Sequence, residues 1–260
     1  MDLGLSGRDV LITGASQGIG EGAAMVFAEE GCNLHLTARN ADNLRRVRDE
    51  IVAEWPVEIS LHPLDLGEPG AAERLEKAVS DIDILINNAG AIPGGNLASF
   101  SDRSWRDGWD LKVFGYINLT RVFYTRMKAR NRGVIINDIG NAGERYDADY
   151  IAGTAGNASL MAFTRALGGR SIDDGIRVVG INPGPVSTER IYKLLKRRAI
   201  DWYGDESRWR ELMARYPLGR PAKIREIADL MAFLASDRSA YTSGAIFTVD
   251  GGITSRSSII

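Results

Sequence analysis

Three glycines stand where a short apolar run gives way to a helical pattern. Val10 to Thr13 is followed by Gly14-Ala15-Ser16-Gln17-Gly18-Ile19-Gly20, and apolar residues then recur at helical spacing. Glycine allows the backbone to approach a ligand closely, and the first turn of a helix offers unpaired N–H groups at the positive end of its dipole. This corner predicts a pyrophosphate-binding loop. The alternative is a glycine-rich turn without a ligand, because a GxxxGxG triplet alone is weak evidence.

The elements that would position this loop form a regular pattern along the chain. Short apolar runs rich in β-branched residues alternate with segments of helical period, which predicts an α/β fold with a doubly wound parallel sheet of about seven strands and helices on both faces. The predicted strands are Val10 to Ile12, Leu34 to Leu36, Val57 to Leu61, Ile82 to Ile86, Val134 to Ile136, Val178 to Ile181 and Ile246 to Val249. The helical stripes include Ile19, Ala23, Val26 and Phe27; Trp105, Trp109, Val113, Tyr116 and Ile117; and Ile224, Ile227, Ala228 and Met231.

The composition of the 260 residues excludes several classes of function. The 32 basic and 34 acidic residues give a formal charge of -2, which leaves no positive field to hold a nucleic acid or a membrane surface. Cys32 is the single cysteine, and the sequence has neither a signal-peptide pattern nor a run of about 18 apolar residues. His35 and His62 lie in or beside predicted strands and give no metal constellation. A soluble, cytoplasmic protein that acts on a small molecule is expected.

One stretch interrupts the regular alternation. No linker or repeat divides residues 1–260, so one domain is predicted, but residues 187–220 are too long for an ordinary connection and predict a helical lid insertion. This lid is net basic, which leaves two interpretations open: an anionic substrate, or a solvated amphipathic helix with Ile191, Leu194 and Leu195 facing inward. Between Ile191 and Tyr216 its charged residues are Lys193, Lys196, Arg197, Arg198, Arg208, Arg210 and Arg215 against Asp201, Asp205, Glu206 and Glu211.

The glycine loop is one of five motifs that occur in order over nearly the whole chain. They are Thr13 to Gly20, Asp65-Leu66, Asn87 to Gly90, Asn182 to Thr188, and the ending Tyr241 to Gly244 through Val249 to Gly252. In these motifs the chain resembles the short-chain dehydrogenase/reductase family. The resemblance implies a single Rossmann-type domain that binds NAD(P), with Asp65 near the adenine, Asn88 and Gly90 beside the adenosine ribose, and Pro183 to Thr188 around the nicotinamide. The residues expected at the cofactor are Gly14, Ser16, Gln17, Gly18, Ile19, Gly20, Arg39, Asp65, Leu66, Asn88, Ala89, Gly90, Pro183, Gly184, Val186 and Thr188.

The end of the second predicted strand bears on the choice between NAD and NADP. An NAD site usually places an acid there to bond the ribose 2′-hydroxyl, whereas an arginine suits a 2′-phosphate. Ala38 stands where the acid would be, and Arg39 follows it. Asp42 is interpreted as the start of the next helix rather than as a ribose ligand. These residues predict NADP(H) over NAD(H), and a solvated arginine at the strand end is the alternative.

The family's catalytic positions carry other residues in this chain. The resemblance implies an asparagine, a serine, and a tyrosine and lysine spaced YxxxK; the tyrosine gives the proton, the lysine lowers its pKa and holds the nicotinamide ribose, and the serine fixes the substrate oxygen. An alignment without gaps locates all four positions. Lys112 falls at the asparagine, Gly140 at the serine, Gly153 at the tyrosine and Asn157 at the lysine. None of the four roles carries over.

Two nearby groups could substitute for the missing ones. Tyr150 precedes Asn157 by seven residues, or two helical turns, an arrangement similar to the tyrosine and lysine of the enoyl reductases within this family. Lys112 could then supply a cation from the neighbouring helix, so Tyr150 and Lys112 are the candidate catalytic residues. The alternatives are a packed tyrosine and a solvated lysine. Gly140 and Gly153 would leave room for a bulky substrate.

Two functions follow from this combination. The first is an NADP-dependent oxidoreductase that reduces a carbonyl or a conjugated double bond of a small molecule with a non-standard acid. The second is a catalytically inactive NADP-binding sensor or partner protein. The resemblance also implies a homotetramer, or at least a dimer, formed through the helices holding residues 105–130 and 150–170 and through the C-terminal segment.

Overall fold

A computed structural model describes residues 1–256 of the chain. Within them, seven parallel strands form one sheet. The strands are β1 (Asp9–Thr13), β2 (Asn33–Ala38), β3 (Ile59–Pro63), β4 (Ile84–Asn87), β5 (Gly133–Asp138), β6 (Ile176–Pro183) and β7 (Ile246–Val249). Their order in the sheet is β3-β2-β1-β4-β5-β6-β7. Each predicted apolar run overlaps one of these strands, so the predicted fold class is confirmed.

Helices cover both faces of the sheet because adjacent side chains of a strand point to opposite faces. Val10 and Ile12 belong to a core on one face, and Leu11 belongs to a second core on the other. The helices are α1 (Gly18–Glu29), α2 (Ala41–Val52), α3 (Ala71–Ala78), α4 (Asp102–Trp109), α5 (Gly115–Ala129), α6 (Ile151–Ser171), α7 (Glu189–Tyr203), α8 (Trp209–Met213) and α9 (Ile224–Ala235). Residues of α1, α2 and α9 fill the first core, and residues of α3 and α5 fill the second.

A single turn of π-helix, Asp110–Phe114, joins α4 to α5. It carries Lys112, and the apolar stripe predicted for this region continues through it, with Val113 and Tyr116 buried. A π turn adds one residue to the helical repeat, and such turns occur frequently at functional sites. The side chains that follow it are therefore rotated relative to a regular helix.

Residues 187–220 fold into a small helical unit with its own apolar contacts. Leu195 and Ala199 of α7 pack with Leu212 of α8 in a buried cluster. The prediction that Leu194 faces inward is wrong, because the inward positions follow the spacing 191, 195 and 199, and Leu194 is 42% exposed. The two ends of the unit meet, since the Ser187 N–H donates to the Ala222 carbonyl at 2.8 Å.

The described residues contain neither a membrane-spanning helix nor a cluster of metal-binding side chains. No helix within residues 1–256 combines the length and apolar character needed to cross a bilayer. The same part of the chain holds no group of three or more histidine, cysteine or acidic side chains placed to bind a metal ion.

Candidate functional site

The glycine loop lies at the carboxyl end of β1 and leads into α1. Gly14 (φ +66°) and Gly18 (φ +62°) adopt left-handed backbone conformations, which favour glycine. A Cβ at Gly20 would lie 2.4 Å from the Gly14 carbonyl oxygen and 2.5 Å from Nδ2 of Asn88, so only glycine fits there. Gln17 precedes the helix without forming a side-chain cap, which leaves the first N–H groups of α1 free for a ligand.

Three hydrogen bonds between Thr13 and the residues after β4 hold the glycine loop against the end of that strand. Oγ1 of Thr13 accepts the backbone N–H groups of Asn88 at 2.8 Å and Ala89 at 2.9 Å. Nδ2 of Asn88 donates in return to the Thr13 carbonyl at 2.8 Å. The order of the sheet changes direction between these two strands, which is where open α/β sheets bind ligands.

The end of β2 carries a largely free arginine. The Arg39 side chain is 70% exposed, and its guanidinium lies 3.8 Å from the Asp65 carboxylate. Asp42 lies in the first turn of α2, where it pairs with Arg45. This placement agrees with its interpretation as a helix-start residue. Arg46 donates to the carbonyl of Ser16 at 3.4 Å and so ties α2 to the glycine loop.

The segment after β6 forms the opposite wall of the cleft. Cγ2 of Thr188 lies 3.3 Å from the place where Gly18 would carry a Cβ. Val186 is buried in the first core, and a Cβ at Gly184 would lie 2.6 Å from Cβ of Asp250. These contacts bring the predicted nicotinamide segment, Pro183 to Thr188, beside the predicted phosphate loop. Leu66 is buried in the second core.

Tyr150 occupies the space above Gly153. A Cβ at Gly153 would lie 2.0 Å from Cζ and 2.1 Å from Cε1 of the Tyr150 ring. The sequence predicted that Tyr150 lies in a helix, two turns before Asn157. In the structure it precedes α6, with φ −135° and ψ 37°, and its ring folds over the first turn. The prediction that Gly153 leaves room for a bulky substrate is therefore wrong, since the tyrosine ring fills that room.

Gly140 and Asn157 contact each other. Nδ2 of Asn157 donates to the Gly140 carbonyl at 3.2 Å and would lie 3.1 Å from a Cβ at Gly140. Oδ1 of Asn157 is buried and has no hydrogen-bond partner among the described residues. A buried acceptor without a partner is costly, so this oxygen is suited to receive a hydrogen bond from a ligand.

Lys112 reaches the site from the π turn. Its stem lies against Gly90, where a Cβ would fall 2.8 Å from Cδ of the lysine. Its ammonium donates to the Ile139 carbonyl at 2.5 Å, just beyond the end of β5. Tyr116, on the next turn, donates its hydroxyl to the Asp138 carbonyl at 2.8 Å. The lysine predicted at this pocket therefore lies inside it rather than in solvent.

Burial dominates the electrostatics of this cluster. Loss of hydration lowers the pKa of Lys112 to about 8; the Asp138 charge opposes this shift and the Arg190 charge adds to it. Burial raises the pKa of Asp138 to about 6 against the opposing effect of Lys112. Burial also raises the pKa of Tyr116 well above its ordinary value, and Asp138 and Tyr150 add to that rise. These groups are thus within electrostatic reach of one another.

Arg190 is a site residue that the sequence did not reveal. It lies in the first turn of α7, and its Nη2 donates to the Tyr150 hydroxyl at 3.4 Å and to the Ile92 carbonyl at 3.1 Å. The cation hydrogen-bonded to Tyr150 is therefore Arg190, where the sequence pointed to Lys112. Arg190 follows the predicted nicotinamide segment by two residues, and this position could have indicated a place near the cofactor. The contact with Tyr150 could not be predicted, because 40 residues separate the two and only the fold brings them together.

A doubly wound parallel sheet with a glycine loop where the strand order reverses is the architecture of dinucleotide-binding Rossmann proteins. A family model described as enoyl-(acyl carrier protein) reductase matches residues 14–254. The chain belongs to the short-chain dehydrogenase/reductase family.

Relatives and solved structures agree with this assignment over nearly the full length. Oxidoreductase UcpA of Salmonella typhimurium is 34% identical over 254 residues, covering 96% of this chain and 95% of the relative. NADPH-dependent reductase BacG of Bacillus subtilis is 30% identical, covering 95% and 98%. The structure of L-sorbose reductase from Gluconobacter frateurii, complexed with NADPH and L-sorbose, has a TM-score of 0.92 and 31% identity, covering 99% of this chain and all of that one.

Proposed function

We propose that the protein is an NADP-dependent reductase of a carbonyl or conjugated double bond in a small molecule, with Tyr150 as its proton donor. The observation that carries this proposal is the Tyr150 ring above Gly153, 2.0 Å from where a Cβ would be. A tyrosine from three residues earlier would thereby take over the role of the family's own tyrosine. The chain would then keep a phenol in the site although the aligned position carries glycine.

The residues of the cleft fit NADP(H). The glycine loop and the free N–H groups of α1 would hold the pyrophosphate, and the exposed Arg39 guanidinium suits a 2′-phosphate. Asp65 and Leu66 would lie at the adenine, and Asn88 to Gly90 at the adenosine ribose. The relatives support the choice, since BacG is described as NADPH-dependent and the L-sorbose reductase was solved with NADPH.

The nicotinamide end of the cleft would be held by Pro183 to Thr188. The unpartnered Oδ1 of Asn157 could accept a hydrogen bond from a ribose hydroxyl. Lys112 would supply a cation nearby, so the side chains at the family's asparagine and lysine positions have exchanged type. NADPH, when bound, supplies the hydride to the substrate.

The chain's own residues would handle the proton. A tyrosine with an ordinary pKa of about 10 gives up its proton poorly near neutrality, so a phenolate needs a neighbouring cation. Arg190 donates to the Tyr150 hydroxyl at 3.4 Å and would stabilise the negative oxygen left after transfer. Lys112 adds a second positive charge, and its lowered pKa of about 8 still leaves the ammonium charged at neutral pH.

The rest of the molecule would enclose this chemistry. Residues 187–220 would act as a lid over the nicotinamide end, within one domain spanning the chain. Arg190 supports this role, because it joins the first turn of α7 to Ile92 across the cleft. A homotetramer, or at least a dimer, through the helices around residues 105–130 and 150–170 remains part of the proposal.

The test is turnover by a Tyr150→Phe variant. Aldehydes, ketones and enoyl thioesters are screened with NADPH to find a substrate, and the variant is then compared with wild-type protein. We expect normal NADPH binding and turnover reduced by about 100-fold or more, the usual scale of general acid catalysis. Tyr146→Phe is the matched control, since Tyr146 is 81% exposed.

Two results would contradict the proposal. Wild-type turnover by Tyr150→Phe would exclude this tyrosine as the proton donor. A panel that stays inert while NADPH binds would favour the alternative, a non-catalytic NADP-binding protein.

A further inference from the structure

Arg190 carries a charge that no carboxylate within residues 1–256 pairs with in a salt bridge. Its Nη2 donates to the carbonyl of Ile92 and to the hydroxyl of Tyr150, and both acceptors are neutral. A guanidinium holds five N–H donors in a planar fork. The Nη1 and Nε donors have no protein acceptor in this part of the chain, so they are available to a ligand.

The other cations of the helical unit contact either an aromatic ring or a carboxylate. Three of its arginines lie over tryptophan rings: Arg198 and Arg215 over Trp202, and Arg210 over Trp209. The others pair with acids: Lys193 with Glu189 at 2.7 Å, Lys196 with Glu206 at 3.1 Å, Arg197 with Asp201 at 3.2 Å, Arg208 with Glu211 at 2.7 Å and Arg220 with Glu226 at 2.7 Å. The basic character seen in the sequence is therefore mostly compensated locally, and Arg190 differs from its neighbours.

A second observation points to a negative ligand at the same place. Lys112 and Arg190 are two cations within electrostatic reach of each other, and Asp138 is the acid whose charge acts on Lys112. Thr188 precedes α7 without capping it, because its hydroxyl donates to the Val186 carbonyl at 3.3 Å, so the first N–H groups at the positive end of this helix dipole have no side-chain cap. The site has an excess of positive charge that an anion would balance.

The position of Arg190 limits where that anion can be. The substrate oxygen that takes the proton must approach the Tyr150 hydroxyl to about 2.6–3.2 Å. Because Nη2 of Arg190 is 3.4 Å from the same hydroxyl, the oxygen lies no more than about 6.6 Å from the guanidinium. An anionic group bound there can be only a few bonds from the reacting carbonyl. A carboxylate meets this limit and can accept from Nε or Nη1, whereas a phosphate ester adds two further bonds.

We propose that Arg190 determines specificity by selecting short oxo acids, in which a carboxylate lies close to the carbonyl. The carboxylate accepts a charge-assisted hydrogen bond from a free donor of the guanidinium, Nε or Nη1, while the carbonyl oxygen faces the Tyr150 hydroxyl. This inference rests on the proposed function, because it takes that hydroxyl to mark the place of the carbonyl. It names the substrate class that the proposed function leaves open.

The test compares an acid with its uncharged amide in the complex with NADPH. Acetoacetate against acetoacetamide, and pyruvate against pyruvamide, are titrated calorimetrically at neutral pH. We expect one acid of the two pairs to bind at least about 10-fold more tightly than its amide, the scale of a bond to a charged group. Arg190→Gln should lower the acid's affinity by about 10- to 100-fold and leave that of the amide and of NADPH unchanged.

Two further variants control for indirect effects. Arg190→Lys keeps the charge but loses the Nε and Nη1 donors, so it should recover part of the preference. Arg197→Gln removes a cation of the same helix that is already paired with Asp201 at 3.2 Å, and it should keep the wild-type preference.

Several outcomes would overturn the inference. They are equal affinities for acid and amide, failure of both acids to bind, and a preference that survives in Arg190→Gln. The binding measurement needs no turnover, so it separates the two proposals. Undiminished catalysis by Tyr150→Phe would contradict the proton donor, while rapid reduction of neutral ketones without any acid preference would contradict only the role of Arg190.

Discussion

The contact between Tyr150 and Gly153 gives a sharp test of how the site is built. Replacing Gly153 by alanine adds one methyl group at a point 2.0 Å from Cζ and 2.6 Å from Cε2 of the ring. Carbon atoms in contact lie about 3.5–4.0 Å apart, so the shortfall is about 1.5–2 Å and the ring must leave its place. We expect the variant to lose about 1–3 kcal/mol of unfolding free energy, the range for overpacking.

The displaced ring should also stop acting as proton donor. Turnover by Gly153→Ala should therefore fall to about the level of Tyr150→Phe, by roughly 100-fold. The assays are urea unfolding and NADPH oxidation with a substrate from the screen. Gly169→Ala in the same helix is the matched control, because a Cβ there meets nothing within 4 Å. It should gain about 0.5–1 kcal/mol from helix propensity alone.

A double-mutant cycle completes this experiment. If the added methyl group and the ring compete for one space, removing the ring should relieve the strain. Gly153→Ala combined with Tyr150→Ala should then be more stable than the sum of the single changes predicts, with a coupling of about 0.5–3 kcal/mol. Additive effects, or a Gly153→Ala variant with full turnover, would refute the placement of the ring.

Four other outcomes are expected. Arg39→Ala should lose about 1.5–3 kcal/mol of preference for NADPH over NADH in calorimetry, and an unchanged preference would exclude the 2′-phosphate contact. Because burial lowers the pKa of Lys112 to about 8, the unfolded state binds more protons above that pH, so the unfolding free energy should rise between pH 8 and 10, and Lys112→Met should abolish the rise. Burial likewise lowers the pKa values of His35 and His62, whose rings are hydrogen-bonded at 3.1 Å. The unfolding free energy of the wild-type protein, relative to a variant with His35→Gln and His62→Gln, should fall as the pH drops below about 6.5; this comparison cancels the opposing contribution of Asp138, and a flat difference from pH 7 to 5 would contradict the expectation. Light scattering at micromolar concentration should show an oligomer, and a monomer would contradict the proposed assembly.

The sheet could be predicted from the sequence because its signal is local. Each strand is a run that is apolar on both faces, as in β5, where all six residues are buried. The boundaries were less exact, since β3 begins at Ile59 rather than at Val57. Here the apolar run extends beyond the residues that pair with the neighbouring strand.

The site could be predicted only in part, because its decisive contacts are not local. The alignment without gaps located Gly153 at the family's tyrosine position. Nothing in the sequence shows that Tyr150 lies outside the helix and that its ring folds back over Gly153. The π turn at Asp110–Phe114 has an ordinary apolar spacing, so the helix around Lys112 was expected to be regular. Arg190 reaches Tyr150 only through the fold of α7 across the cleft.

The ammonium of Lys112 also has a consequence for how this site could have arisen. A lysine at that position needs Gly90 to make room for its stem and the acid of Asp138 to offset the loss of hydration. If the lysine were acquired first, its buried positive charge would lack a compensating acid. If the acid were acquired first, its buried negative charge would lack a compensating cation. The two changes should therefore be inherited together. Among family members, lysine at position 112 is expected to occur with an acidic residue at 138, and members with the ordinary asparagine at 112 should be free of that constraint.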